Sequence, residues 1–308
     1  MKRLIKINKK NGSKTESFFS PLDKVTIFYI LFSTVYLCLG VSYLPNTLWH
    51  FIYRMIVFGV VFLMAYWHKK NPNKPLEIAR HFYPLIILNI FYPETSYLRN
   101  ILINSDFDGF VSGCEQTIFG CQPSVEFCKA IPHDWFNELM HICYFSYYFF
   151  ILLVCIVHFI KDRQESKKSI FIIVSAFYMY YIIFCFLPVV GPQFYFTPPD
   201  SSISSPYIFG KIIQYGAEII EKPTGAFPSS HVGVIIIVAY ITYKHMRKLF
   251  YVIWPFVIGI CFATVYIKAH YAVDVFAGII SVPIFIAIAN FIYSKISAKT
   301  AVGQDEFE

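Results

Sequence analysis

The chain has 308 residues, of which 56% are hydrophobic, 19% aromatic and only 15% charged. Soluble domains carry about 25% charged residues, so this composition excludes a soluble globular domain. It also excludes a disordered, collagenous or disulfide-scaffold chain. The net charge of +7 is no nucleic-acid signal, because its placement is topological.

A helical membrane span needs about 20 mostly apolar residues. In chain order such runs fall at 24–44, 49–67, 80–97, 137–160, 169–189, 230–246, 249–267 and 272–294. The expected fold is therefore all-α, a polytopic transmembrane helical bundle of about eight membrane segments. Asn89, Pro93 and Glu94 interrupt the third run, which also reads as a short or re-entrant segment covered by protein. The sixth run is short and polar at its start.

Lys and Arg set the orientation. Twenty of the 26 lie in segments 1–24, 68–80, 161–168, 244–248 and 295–308, which the alternation of spans puts on one side. The other six are Arg54, Arg99, Lys129, Lys211, Lys222 and Lys268. This places both termini in the cytoplasm and segments 98–136, 190–229 and 268–271 on the outer face of a multi-pass cell-membrane protein. The basic start (MKRLIKINKKNGSKTE) reads as a solvated tail, not a cleavable signal peptide. The stretch after Lys299 (TAVGQDEFE) reads as a second tail.

Five of the eight cysteines (Cys38, Cys143, Cys155, Cys185, Cys261) fall in spans and read as small apolar residues. Cys114, Cys121 and Cys128 share the outward loop at a seven-residue spacing that matches no zinc signature. An oxidising exterior would allow one disulfide among them.

Polar side chains at membrane depth are costly, roughly 2.5–3.5 kcal/mol for a central Asp or Lys. Two polar clusters sit instead at the outward ends of spans. The first, Thr224 to His231 (TGAFPSSH), opens the sixth span, with Ser229 or Ser230 as the N-cap. Free N–H groups, a positive dipole end, two hydroxyls and an imidazole meet there, a combination suited to a phosphate. Read alone, it equally fits an ordinary interfacial cap.

The second cluster, Ala269 to Gly278 (AHYAVDVFAG), opens the eighth span. His270 and Asp274 are four apart and share one helix face. A carboxylate there can accept the proton of one ring nitrogen and leave the other bare for nucleophilic attack. Read alone, this too fits a structural pair. The topology, however, puts both clusters on one face. Two imidazoles, an acid and a phosphate-friendly helix start suit phosphoryl transfer through a phosphohistidine, one His attacking phosphorus and the other protonating the leaving oxygen. No cofactor and no metal is expected, since the sequence offers no carboxylate cluster of the two-metal kind.

The pair GAFPSSH and HYAVDVFAG resembles the second and third signatures of the type 2 phosphatidic acid phosphatase (PAP2) superfamily, which also includes vanadium haloperoxidases. The resemblance implies a six-helix core, here about 137–294 plus one earlier span. It implies His270 as nucleophile, Asp274 as its orienter, His231 as general acid, and Ser229 and Ser230 as the phosphate-binding region. It divides the chain into a basic tail (1–23), N-terminal membrane segments with an outward loop (24–134), a PAP2-like catalytic core (135–296) and a second tail (297–308).

The departures are specific. Ser230 stands where relatives commonly have Gly. Ala263 and Thr264 stand where the third signature normally has Ser-Arg. The first signature is absent in standard form; LPVVGPQFYF (Leu187 to Phe196) takes its place, with Gln193 where an Arg often follows Gly-Pro. That run resembles the subgroup containing inositol phosphorylceramide synthases, which transfer a lipid-borne headgroup to another alcohol.

A phosphoryl site needs positive charge, and with the arginines missing Lys268 is the first candidate and Lys222 the second; ordinary snorkelling would explain both equally well. The reading is a membrane lipid phosphate phosphatase acting on a lipid phosphate at the extracytoplasmic face, without nucleic acid. The alternatives are a lipid phosphotransferase, or a catalytically inactive lipid-binding or scramblase relative. A transporter lacks the repeated broken helices it would need.

Overall fold

A computed structural model describes residues 17–40, 46–198, 200, 203, 207–220 and 222–302. Most of the basic N-terminal tail and the last six residues of the C-terminal tail lie outside the described residues, as does most of the 199–206 stretch. The described residues are predominantly helical, with no strand among them.

The helices run α1 (Pro21–Leu39), α2 (Thr47–Lys70), α3 (Lys74–Leu98), α4 (Asp108–Phe119), α5 (Pro123–Ala130), α6 (Asp134–Lys161), α7 (Arg163–Phe186), α8 (Pro192–Tyr195), α9 (Ile208–Ile220), α10 (Ser230–His245), α11 (Arg247–Tyr266) and α12 (Ala272–Val302). Six of them, α1, α2, α6, α7, α11 and α12, are long and apolar enough to cross a membrane. The other two expected spans are also helices. α10 is only 16 residues long, and α3 carries Pro84 and Pro93 in its interior. α12 continues through Lys299 to Val302, where a tail was expected.

The helix starts follow local chemistry. Ser20 and Asp23 form a capping box on α1, with Pro21 in its first turn. The Asp162 side chain accepts the N–H groups of Gln164 and Glu165 to start α7. α4 ends on Gly120 in the left-handed region.

α10 is the axis of the bundle, packed by α6, α7, α11 and α12. Val232, Val234, Ile235, Ile237 and Val238 are all completely buried. So many β-branched residues disfavour an isolated helix; here packing on every side overrides propensity. α10 and α12 cross closely: a Cβ at Gly278 would lie 2.6 Å from the Ser229 carbonyl oxygen. Close backbone approach over small residues is how membrane helices gain contact when lipid offers no hydrophobic drive.

α1, α2 and α3 pack on one another, and α1 and α3 also pack against α7. Arg54 on α2, expected near the outward side as a lone cation, is buried. Its Nη1 lies 2.5 Å from Glu94 Oε1, which also meets His50 Nδ1 at 2.9 Å. Next to Glu94, Thr95 Oγ1 lies 3.2 Å from Thr224 Oγ1. The N-terminal helices thereby touch the segment that leads into α10.

Candidate active site

His231 opens α10 and His270 stands two residues before α12, and the fold brings them together. His231 Nδ1 lies 3.1 Å from His270 Nε2. Three backbone segments converge to make this possible. Ala226 N–H donates to the Val189 carbonyl (3.1 Å), Gln193 N–H to the Lys268 carbonyl (3.0 Å), and Ser229 N–H to the Asp274 carbonyl (3.0 Å). Gly191 sits at φ +95°, and a Cβ there would lie 3.0 Å from the Ala269 carbonyl oxygen. Only glycine meets both constraints without strain.

The hydrogen-bond partners fix the tautomers. His270 Nδ1 lies 2.8 Å from the Ala226 carbonyl oxygen, which can only accept, so Nδ1 carries a proton, and in the neutral ring Nε2 is bare. Among the described residues a bare Nε2 takes its hydrogen bond from His231, so His231 Nδ1 is then the protonated one. His231 Nε2 is then an acceptor, with Tyr144 Oη at 3.1 Å and Tyr148 Oη at 3.5 Å. The Tyr147 ring closes the third side, 4.5 Å from the imidazole centroid. All three tyrosines come from α6, which the fold turns onto His231.

Asp274 lies beside His270 but is not its nearest acceptor. Asp274 Oδ2 stands 3.6 Å from His270 Nδ1 and accepts the Tyr271 N–H at 2.8 Å. The carbonyl of Ala226 is the closer partner. Asp274 is fully buried, so its charge reaches the imidazole through little water.

Two acids on α4 complete the frame, and neither was singled out by sequence. Asp108 accepts the N–H groups of Val190 (2.8 Å) and Gly191 (2.9 Å) and the Tyr271 hydroxyl (3.0 Å). Glu115 Oε1 accepts the Ala272 and Val273 N–H groups, the first two of α12. Both side chains are fully buried. Burial pushes the Glu115 carboxyl up to about 7, against the two amides that pull it down. Burial raises Asp108 as well, with its two backbone amides opposing, and it raises the Tyr271 phenol, Asp108 adding to the effect. A usable signal did exist: Asp108 and Glu115 are seven apart and share one helix face.

The remaining candidates are placed unevenly. Ser229 is the N-cap of α10, its Oγ accepting the Val232 N–H at 3.3 Å, and Ser230 is buried in the first turn. Lys268 is buried, in the left-handed region at φ +64°, with Nζ donating to the Asp200 carbonyl at 2.6 Å. Gln193 is held through its N–H to the Lys268 carbonyl. Among the described residues no contact brings Lys222 to the histidines; its carbonyl accepts the Thr224 N–H. Ala263 and Thr264, at the positions where arginine was missed, are completely buried. The Thr264 carbonyl accepts the His270 N–H at 3.0 Å. All eight cysteines are free, including Cys114, Cys121 and Cys128.

Apolar helices in a multi-pass arrangement, with paired imidazoles at one end of the bundle, define a polytopic membrane protein of the paired-histidine kind. A family model described as the PAP2 superfamily matches residues 115–288, more than half of the chain, and the protein belongs to that superfamily. Its members are generally phosphatases or phosphotransferases. No curated protein and no solved structure matches the chain.

Proposed function

We propose that the protein is a lipid phosphate phosphatase that works through a phosphohistidine on His270, at the extracytoplasmic face of a membrane in which both termini are cytoplasmic. The reading is carried by one observation: the 3.1 Å approach of His231 Nδ1 to a His270 Nε2 whose partner nitrogen is held by the Ala226 carbonyl. That arrangement presents a bare nucleophile beside a protonated acid.

The substrate phosphate enters between the two rings and replaces their mutual hydrogen bond. The His270 Nε2 lone pair attacks phosphorus while the bond from phosphorus to the lipid oxygen breaks. His231 Nδ1 delivers its proton to that leaving oxygen, releasing a lipid alcohol. Water then attacks the phosphohistidine as His231, now the base, takes its proton; the P–N bond breaks and phosphate leaves.

During the first step the His270 ring becomes cationic. The Ala226 carbonyl and the Asp274 charge support it, in the part that the buried aspartate of a serine-protease triad plays for its histidine. The N–H groups of Ser230 and His231, together with Lys268, are the groups proposed to hold the phosphate oxygens. Gln193 would line the same side, and Lys222 is the more distant candidate. The catalytic unit takes in 135–296 and also α4, whose acids fasten it.

The test is labelled-phosphate trapping on purified protein with a short-chain lipid phosphate. Acid-labile, base-stable label should form, and His270→Ala should abolish it and lower turnover by about 10³-fold or more. Label that persists in His270→Ala sinks the mechanism. A product survey with an added diacylglycerol or inositol lipid separates hydrolysis from transfer to an alcohol. Catalysis of either kind rules out the inactive relative.

A further inference from the structure

At the other end of the bundle a cavity of about 260 Å³ opens between the starts of α1, α3 and α7 and the ends of α2 and α12. α12 runs 21 residues from Ala272 beside the histidines to Tyr293 in the cavity wall. At about 1.5 Å per residue that is about 30 Å, so the cavity is separate from the histidine site. Its volume far exceeds the roughly 10–15 Å³ that one water needs.

The wall mixes apolar and basic groups: Phe19, Leu22 and the Tyr293 ring line it together with Arg80, Lys167 and Gln164. Arg80 already bonds Asp23 through Nη2, and Asp23 is further engaged by the Tyr83 hydroxyl at 2.7 Å. Yet Arg80 Nε is buried without an acceptor among the described residues. The guanidinium is thus incompletely matched by acceptors of the protein itself, a costly condition for a buried donor.

Charge points the same way. The carboxylate in the wall, Glu77, is met by Arg163 at 3.4 Å. Lys167 has no carboxylate within ion-pair distance among the described residues. Local positive charge is thus left over, next to an apolar surface, at a helix-bundle end. Such basic hollows between membrane helices suit the phosphate of a lipid headgroup.

We propose that this cavity is a second, non-catalytic binding site for a phosphate group, held by Lys167 and Arg80. A phospholipid headgroup and inorganic phosphate share that chemistry. The site stands independently of the reaction assigned to the histidines.

The test uses full-length protein carrying His270→Ala, so that nothing is turned over, with and without Lys167→Ala. Thermal unfolding is followed against short-chain phosphatidylglycerol, inorganic phosphate and, as an uncharged control, short-chain diacylglycerol, since a ligand of the folded state raises its melting temperature. Phosphatidylglycerol should stabilise, and Lys167→Ala should weaken its apparent affinity about tenfold or more. The same Lys167-dependent weakening for inorganic phosphate alone would support the site and assign it to the free ion. Stabilisation that ignores Lys167→Ala, equal stabilisation by diacylglycerol, or no stabilisation by either phosphate probe overturns the proposal. Lys167 is only partly buried, so the variant should fold; Arg80→Lys, which keeps a cation for Asp23, serves as the second variant with the same expected direction.

Discussion

α10 starts with its histidine and α12 starts just after its own, but the two starts are fastened in different ways. α10 is capped from within: Ser229, the adjacent residue, supplies the oxygen that Val232 N–H needs. α12 is fastened from a distance. Its first two amides go to Glu115, 157 and 158 residues back in the chain, and the preceding Tyr271 hydroxyl goes to Asp108. His231 therefore stands on a helix whose start caps itself. His270 immediately precedes one whose position depends on α4. A local cap defines a helix start, whereas a remote acid defines where that start lies relative to other elements.

The largest effect expected from breaking this contrast comes at Asp274. Asp274→Asn should lower turnover about 10²-fold with little change in substrate binding. Losing the orienting acid of a serine protease costs about 10⁴-fold because the tautomer is lost; here the Ala226 carbonyl keeps the tautomer. A full 10⁴-fold loss would mean that Asp274, not Ala226, sets the proton on His270.

Next comes Glu115. Glu115→Ala leaves two buried amides without an acceptor and should cost about 2–4 kcal/mol of stability, read as a lowered midpoint of unfolding. Turnover should drop about tenfold as His270 loses its placement. An unchanged midpoint would mean that α12 is held without α4.

Glu115 also predicts a pH dependence. Its carboxyl is raised from 4.5 to about 7 in the fold, so between these values the folded state holds the proton more tightly than the unfolded state. Its contribution is fully present below about pH 4.5 and is lost as pH rises through 7, by at most about 3 kcal/mol. The stability of wild type minus Glu115→Gln should therefore decline from pH 4.5 to about 7.5. A flat difference contradicts the assignment.

The smallest effect belongs to the locally capped start. Ser229→Ala should cost about 1 kcal/mol, the ordinary value for an N-cap, with turnover within a few-fold of wild type. A loss as large as that of Glu115→Ala would erase the distinction between the two helices.

What sequence could reveal follows the same division. His231, Ser229, His270 and Asp274 were legible because their defining relations span one helical turn and polar residues are rare at span ends. The orientation of Lys and Arg predicted that the two histidines share a face, though not that their rings touch. Asp108 and Glu115 were not legible as partners because every group they hold lies 82 or more residues downstream. The Ala226 carbonyl carries no side-chain signature at all. Arg54 looked like an interfacial cation because its match, Glu94, lies on another helix in a run that seemed interrupted rather than paired. α10 falls short of a span by length alone, at 16 residues, as its short run already suggested; what only packing reveals is that its apolar surface faces other helices.

The crossing of α10 and α12 has a mechanical consequence. With no room for even a methyl group between Gly278 and the Ser229 carbonyl, the helices can neither slide nor separate without first losing backbone contact. A thicker or thinner bilayer is accommodated by tilting of spans at modest cost, and peripheral α2 is freer to do so, since only 28% of its apolar window is buried. The close crossing thus ties the two histidine-bearing helix starts to each other rather than to the peripheral spans, and the separation of the rings should follow that contact more than the thickness of the host bilayer.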